Sequence, residues 1–309
     1  MLDSRLMRCL VTGGAGFIGS NLVDALVARG DEVRVLDDLS TGHRDNLNAR
    51  ADLIEAEVSD AAAVRSAVEG CELVFHQAAH RAVLRSVEDP LATDNANVHG
   101  TLTVLEEARA AGVRRVVYAS SSSVYGGADL RPTPETAPLL PRSPYAVTKL
   151  TGEHYCRVYS ELHGLETVAL RYFNVFGPRQ RPDSMYAAVI PLFIDALRTG
   201  RRPTVHGDGK QSRDFTFIDD VVAANLAAAS APAAAASGNA YNIACGGEYT
   251  LLELLEHLGE IIGVNVEPEH MEPRAGDVRH SCADASAAAR DLGWTAAVAF
   301  RDGLERTAT

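Results

Sequence analysis

The chain has no apolar run long enough to cross a membrane as a helix. Its candidates, such as Val113 to Ala119, are interrupted by Arg114 and Arg115 and fall well short of about 18 residues. It also lacks a paired-cysteine pattern. Cys9, Cys71, Cys156, Cys245 and Cys282 are odd in number and scattered, with no Cys-x-x-Cys. A disulfide framework is thereby excluded, and packing cysteines in a reduced, cytoplasmic compartment are expected. No secretory signal is read, because the apolar run after Met7 stops at Thr12, Gly13 and Gly14 and has the form of a strand. Basic residues are in deficit, 29 against 41 acidic, for a formal charge of −12. A chain so charged repels a phosphate backbone, so neither nucleic acid nor a membrane is an expected partner. No internal repeat is present. His76 and His80 are four apart, but they fall at a strand end with no Cys or carboxylate placed to complete a metal site, so no metal is expected.

What the chain does have is length and apolar content: 309 residues, 46% hydrophobic. That is enough for one large domain or two intimate ones. Short runs rich in Val, Ile and Leu, bounded by turn residues, predict buried strands over Arg8 to Thr12, Glu32 to Asp37, Asp52 to Glu57, Leu73 to Gln77, Arg115 to Ser120 and Glu166 to Tyr172. Helical patterns lie between them, as in Gly19 to Arg29 and Asn97 to Ala111. This alternation predicts an α/β fold, a Rossmann-type doubly wound parallel sheet. After Phe173 the pattern loosens around Pro178, Pro182, Pro191 and Pro203, and Ala240 to Ile243 again has the form of a buried strand. The expected division is therefore discontinuous: residues 1–173 with 223–247 as the dinucleotide domain, and 174–222 with 248–309 as a smaller substrate domain. The Ala-rich tract Ala227 to Ser237 is expected to be a helix end running into a surface loop around Pro232.

The first predicted strand runs into Thr12-Gly13-Gly14-Ala15-Gly16-Phe17-Ile18-Gly19. Gly13 permits a tight turn, Gly16 lets a diphosphate approach the backbone, and Gly19 lets helix and strand pack closely. The helix start beyond it offers free N–H groups to an anion. Asp37 ends the next strand, about 20 residues on, where a carboxylate grips a ribose diol and repels a 2′-phosphate, favouring NAD over NADP. Asp38 beside it is either a second ribose ligand or a solvated loop acid.

Ser143-Pro144-Tyr145-Ala146-Val147-Thr148-Lys149 places a Tyr and a Lys four apart. With Pro144 in a first helical turn, both side chains lie on one face. An ammonium near a phenol favours the phenolate, lowering its pKa from about 10 toward the working range. Tyr145 can then take a proton from a sugar hydroxyl. The serine run Ser120 to Ser123 before Val124-Tyr125-Gly126 follows a predicted strand, at the end of the sheet where ligands bind.

Together these motifs resemble the extended short-chain dehydrogenase/reductase family, and within it the UDP-hexose 4-epimerases. The likeness takes in nearly the whole chain, including Asn97-Val98-His99-Gly100-Thr101, Arg171-Tyr172-Phe173-Asn174, Gly177-Pro178-Arg179-Gln180, Arg213-Asp214-Phe215 and Gly276-Asp277-Val278-Arg279-His280-Ser281. The resemblance implies NAD as cofactor, held by Gly13, Gly16, Phe17, Ile18, Gly19, Asp37, Asp38, Ala78, Ala79, Asn97 and Tyr172 together with Tyr145 and Lys149. It implies Ser121, Tyr145 and Lys149 as the catalytic group. For a UDP-sugar it implies Asn174 at the sugar diphosphate, Arg213 and Arg274 at the diphosphate, and Asp277 at the uridine ribose. Val189 to Leu192 and Thr204, Val205 and His206 would wall the uracil, and Arg81 would meet diphosphate or hexose. A homodimer through the helices around 97–111 and 146–163 is also implied.

Within that family, 4,6-dehydratases resemble this chain but carry an acidic pair where Ser122 and Ser123 stand, and glucuronate decarboxylases carry a Glu at the Ser123 position. Serine is no carboxylate acid/base, so elimination and decarboxylation are disfavoured. Inversion at C4 of a UDP-hexose, through a transient 4-keto sugar, remains as the expected activity. Ser281 stands where glucose-restricted relatives carry a bulky Tyr, so N-acetylated hexoses are expected to fit. Arg181 with Ser122 and Ser123 would suit a carboxylate, which keeps a UDP-glucuronate 4-epimerase open, though Asn174 stands where those carry Thr. The same fold also admits a nucleotide-sugar dehydratase or reductase, and a non-catalytic NAD sensor. A sensor, however, has no need of Ser121, Tyr145 and Lys149.

Overall fold

The computed structural model describes residues 6–81, 83–127, 130–182, 188–273 and 278–309. Seven strands form one sheet: β1 (Arg8–Thr12), β2 (Glu32–Asp37), β3 (Asp52–Glu55), β4 (Leu73–His76), β5 (Arg115–Ser121), β6 (Glu166–Tyr172) and β7 (Asn239–Ile243). Every pairing is parallel, in the order β7-β6-β5-β4-β1-β2-β3. Both faces are covered, and the side chains alternate between them. Cys9 and Val11 of β1 enter one core layer and Leu10 the other; Leu73 and Phe75 of β4 oppose Val74, and Val117 and Ala119 of β5 oppose Val116 and Tyr118.

The helices used below are α1 (Phe17–Arg29), α2 (Ala61–Val68), α3 (Gly100–Ala110), α4 (Pro144–His163), α5 (Val189–Arg198), α6 (Ile218–Ser230) and α7 (Leu251–Ile262). α1 and α6 pack against each other over one face, and α2, α3 and α4 cover the other. α5 and α7 meet in a second lobe. That lobe carries short pairings: Ser212–Arg213 between Tyr249–Thr250 and His280–Ser281, and Thr204–His206 beside Glu269–Met271. Beneath them Phe176, Phe215, Phe217, Tyr249 and Phe300 form an aromatic cluster, with Tyr249 and Phe300 stacked at 4.0 Å between centroids.

The differences from expectation have local causes. The helix expected from Asn97 is π-helical over Asn95–His99 before its α-helical part begins at Gly100. The domain boundary expected at 222/223 falls inside α6, which begins at Ile218. The alanine tract ends α6 at Ser230 and passes the exposed Pro232, and it then forms a short helix, Ala233–Ala236, whose last residue is buried in the core.

The strand order reverses between β1 and β4. The chain leaves β1 in one direction through β2 and β3, then returns to β4 on β1's other side. The crevice outside the carboxyl ends of those two strands is where open sheets of this kind hold ligands.

Candidate active site

At the carboxyl end of β1 the chain turns tightly into α1. Gly13 has φ +69° and donates its N–H to the Leu36 carbonyl at 2.8 Å. A Cβ on Gly13 would lie 2.7 Å from the Ala78 backbone, and one on Gly19 would lie 2.1 Å from the Gly13 oxygen. Both positions therefore require glycine. α1 then begins with Gly16 as its cap and no capping side chain, so its first-turn N–H groups are left to an outside acceptor. Asp37 braces this turn, accepting N–H groups from Ala15 and Leu39 at 2.9 Å each. Its burial pushes its carboxyl up, against those two bonds. Asp38 is exposed and accepts from the Ser40 amide and hydroxyl.

A cleft of about 290 Å³ runs from this turn along the strand ends. Gly13, Gly16, Phe17, Ile18, Gly19, Asp37 and Asp38 line one part, Ala78, Ala79 and Arg81 another, and Ser120, Tyr145, Lys149 and Tyr172 a third. An uncapped helix start, a turn without side chains and an acid at the end of β2 fit a dinucleotide, its diphosphate on the N–H groups and its ribose near Asp37. Asn97 is not among the lining residues. Its amide oxygen accepts the His80 N–H at 2.7 Å, and its nitrogen donates to the His80 carbonyl and the Thr148 hydroxyl. The expectation that Asn97 meets the cofactor is therefore corrected: buried, with both N–H bonds committed, it pins the Ala79–His80 segment, while Asn95 and Ala96 line the cleft. Ser40, Thr41, Gly42 and the run Ala56 to Ser59 also line it and went unnoticed in the sequence. Their signal was position, just beyond β2 and β3.

α4 begins with Ser143 as its cap, its hydroxyl accepting the Ala146 N–H at 3.1 Å, and with Pro144 in the first turn. This aims Tyr145 and Lys149 at the cleft. The Lys149 ammonium is buried and donates to the Ala119 carbonyl at 2.7 Å. Burial pushes it down to about 8, with Cys156 and Glu153 opposing. The Tyr145 phenol is pushed up by burial, while a bond with the Ser121 hydroxyl and the charge of Arg81 pull it down. The ammonium spends its bond on Ala119 and stands 5.9 Å from the Tyr145 ring centre. Tyr172, pushed up to about 12 by burial, donates to Gln77 at 3.2 Å and accepts from Asn225 at 2.9 Å.

A second cleft, about 530 Å³, brings together Asn174, Val189, Leu192, Thr204, His206 and Arg213. Val83, two residues beyond Arg81, also lines it. Val205 does not line it with its side chain. The strand's alternation turns it fully into the core between Thr204 and His206, so the expected uracil wall is corrected at that position. Asn174 donates to the Asp214 carbonyl at 2.9 Å. Asp214, beside Arg213, accepts N–H groups from Cys245, Gly246 and Ala283, and burial pushes its carboxyl up to about 6. Gln180, Gln211 and Phe215 line the same cleft and were missed. Ser281 pairs in register with Arg213. Ser122 and Ser123 lie in a 3₁₀ turn that lines neither cleft, and the Ser123 N–H bonds the Ser121 hydroxyl oxygen at 3.2 Å. Arg274 and Asp277 lie outside the described residues. Among the described residues no cluster of three or more His, Cys, Asp or Glu could hold a metal ion.

The model of the NAD dependent epimerase/dehydratase family matches residues 9–244 of the chain. The chain is 42% identical over 308 residues to a UDP-glucose 4-epimerase of Mycolicibacterium smegmatis, covering 97% of each chain. Its structure is similar to the UDP-glucose 4-epimerase of Thermotoga maritima solved with UDP-glucose, with a TM-score of 0.94, 38% identity and coverage of 98% and 97%. It is equally similar, at TM-score 0.94, 36% identity and the same coverage, to the UDP-N-acetylglucosamine 4-epimerase of Methanobrevibacter ruminantium M1 in complex with UDP-N-acetylmuramic acid.

Lysine occurs only at positions 149 and 210. In carbon-13 lysine NMR the buried ammonium is expected to lose its proton near pH 8, well below its usual 10.5. Two signals both titrating at the usual value would contradict the burial of Lys149.

Proposed function

The chain belongs to the NAD-dependent epimerase/dehydratase family, and on that premise we propose that it inverts C4 of a UDP-hexose, UDP-glucose and UDP-galactose first and their N-acetylated counterparts as well. The observation that carries this reading is the placement of Tyr145 and Lys149 where the dinucleotide cleft ends, with Ser121 at the phenol and the Arg213 cleft close by.

The NAD held by the glycine turn supplies reversible hydride acceptance. The rest falls to the chain's own side chains. Tyr145 takes the proton of the sugar 4-hydroxyl and returns it to the same oxygen once the 4-keto sugar has turned. Ser121 holds that oxygen, and Lys149 keeps a positive charge beneath the phenol. Arg213 and Asn174 hold the diphosphate, and Val189, Thr204 and His206 flank the base. With most contacts on the nucleotide, the hexose is free to present either face. The proton returns to the oxygen it left and the hydride would return to C4 from the other face, so C4 is inverted and the reaction consumes no reductant. Arg274 and Asp277 are proposed, by resemblance alone, to add diphosphate and ribose contacts.

No carboxylate stands at Ser122 or Ser123, which weighs against the dehydratase and decarboxylase readings. A UDP-glucuronate 4-epimerase is the second reading, one that Arg181 would serve. Separate incubation with UDP-glucose, UDP-N-acetylglucosamine and UDP-glucuronate, products read by proton NMR, decides among them.

Tyr145→Phe is expected to retain NAD and to lose about a hundredfold or more in kcat; undiminished turnover would remove the phenol from the mechanism. Ser281→Tyr is expected to spare UDP-glucose and to depress kcat/KM for UDP-N-acetylglucosamine, and equal effects on both would end the pocket-size argument. We further propose a homodimer joined through α3 and α4, where Val147, Val158 and Leu162 are exposed on α4; sedimentation as a monomer would refute it.

A further inference from the structure

Tyr145, Lys149 and Glu153 follow one another at four-residue steps along α4. Glu153 is buried, and a buried carboxylate persists only with partners. Arg171 on β6 grips it with two parallel bonds, Nε to Oε1 at 2.9 Å and Nη2 to Oε2 at 2.7 Å. Ser120, at the end of β5, donates its hydroxyl to Oε1 at 2.5 Å. The remaining Arg171 nitrogen, Nη1, donates to the Tyr125 hydroxyl at 2.7 Å and to the Glu135 carbonyl at 3.2 Å. Tyr125 in turn donates to Asn242 Oδ1 at 2.7 Å.

Ser120 and Tyr125 bracket the turn that carries Ser121. Both ends of that turn are thus fastened to one ion pair, and the carboxylate of the pair belongs to the helix that bears Tyr145 and Lys149. We propose that Glu153, paired with Arg171, is the positioning residue that sets Ser121 against Tyr145 and keeps the buried Lys149 charged. This rests on the roles assigned above to Tyr145 and Ser121.

The groups facing Lys149 leave Glu153 as its anion. His76 from β4 is held neutral by burial. Tyr118 from β5 presents its ring 5.1 Å from the ammonium, and its hydroxyl is pushed up by burial. On α4 itself, burial pushes the Cys156 thiol up, so it stays protonated near neutral pH, and Tyr145 is the phenol that exchanges its proton with the sugar. Arg171 offsets part of the carboxylate's field from β6. Removing the carboxylate removes the one standing negative charge among these groups.

Glu153→Gln is the direct variant, but it strands the Arg171 charge in the interior, a change large enough to unfold a protein. The double variant Glu153→Leu with Arg171→Met replaces the pair by apolar groups, an exchange that commonly keeps stability. We expect it to melt within a few degrees of the wild type and to keep its NAD content and its KM for the UDP-hexose. Its kcat should fall roughly tenfold to a hundredfold, and the Lys149 midpoint in lysine NMR should drop by about one pH unit. A pair that served stability alone would leave kcat and that midpoint unchanged, and this result overturns the inference. If the wild type interconverts no UDP-hexose, the functional reading fails separately. The Lys149 midpoint then decides the inference by itself, a drop supporting it and an unmoved value overturning it.

Discussion

The Lys149 ammonium resting on the Ala119 carbonyl is the contact around which this molecule is organised. Burying an ammonium costs several kcal/mol even after relaxation, so the acceptor beneath it cannot drift. That requirement ties α4 to the end of β5 more tightly than apolar packing alone would. Tyr145, one helical turn earlier, inherits its place from the same contact. Ser121, two residues beyond Ala119, inherits its place from the other side. The rest of the sheet supplies a rigid frame for that pairing, and the cleft begins where it ends.

How much of this was legible depended on whether a residue's role was local. β1, β2 and β6 run over the residues expected of them because they are short apolar runs closed by turn residues, and burial on both faces leaves few other solutions. The glycine turn was legible because its three positions answer to backbone sterics. Tyr145 and Lys149 were legible as a spacing. Asn97 was misplaced because a sequence shows that an amide is near a site but not where its hydrogen bonds go. Val205 was misplaced because three consecutive residues of a strand cannot all face one way. Ala56 to Ser59 escaped notice because nothing in their chemistry marks them; only the layout of the sheet brings them to the cleft. The Glu153–Arg171 pair escaped for a related reason, since its partners Ser120, Tyr125 and Asn242 come from distant parts of the chain.

The two clefts also show how an acidic chain accommodates an anionic ligand. Its net charge of −12 gives no general attraction for a diphosphate. Binding must rest on local donors: uncapped N–H groups at the start of α1, Arg81 at one cleft and Arg213 at the other. Asp214 illustrates the attendant cost. Its buried carboxylate takes three backbone N–H groups, and in doing so fixes the strand from which Arg213 projects.

The position of β7 bears on how the molecule is made. It completes the sheet beside β6, yet residues 173–238 intervene, including α5 and much of the second lobe. A nascent chain that has emerged only through β6 therefore carries six strands with an open hydrogen-bonding edge, the kind of edge that recruits other chains. Synthesis must run through the first half of the second lobe before β7 covers the open side of β6. The order of the genetic message thus makes the two lobes kinetic partners during folding, since a pause in translation between them leaves β6 as the sheet's edge until β7 is made.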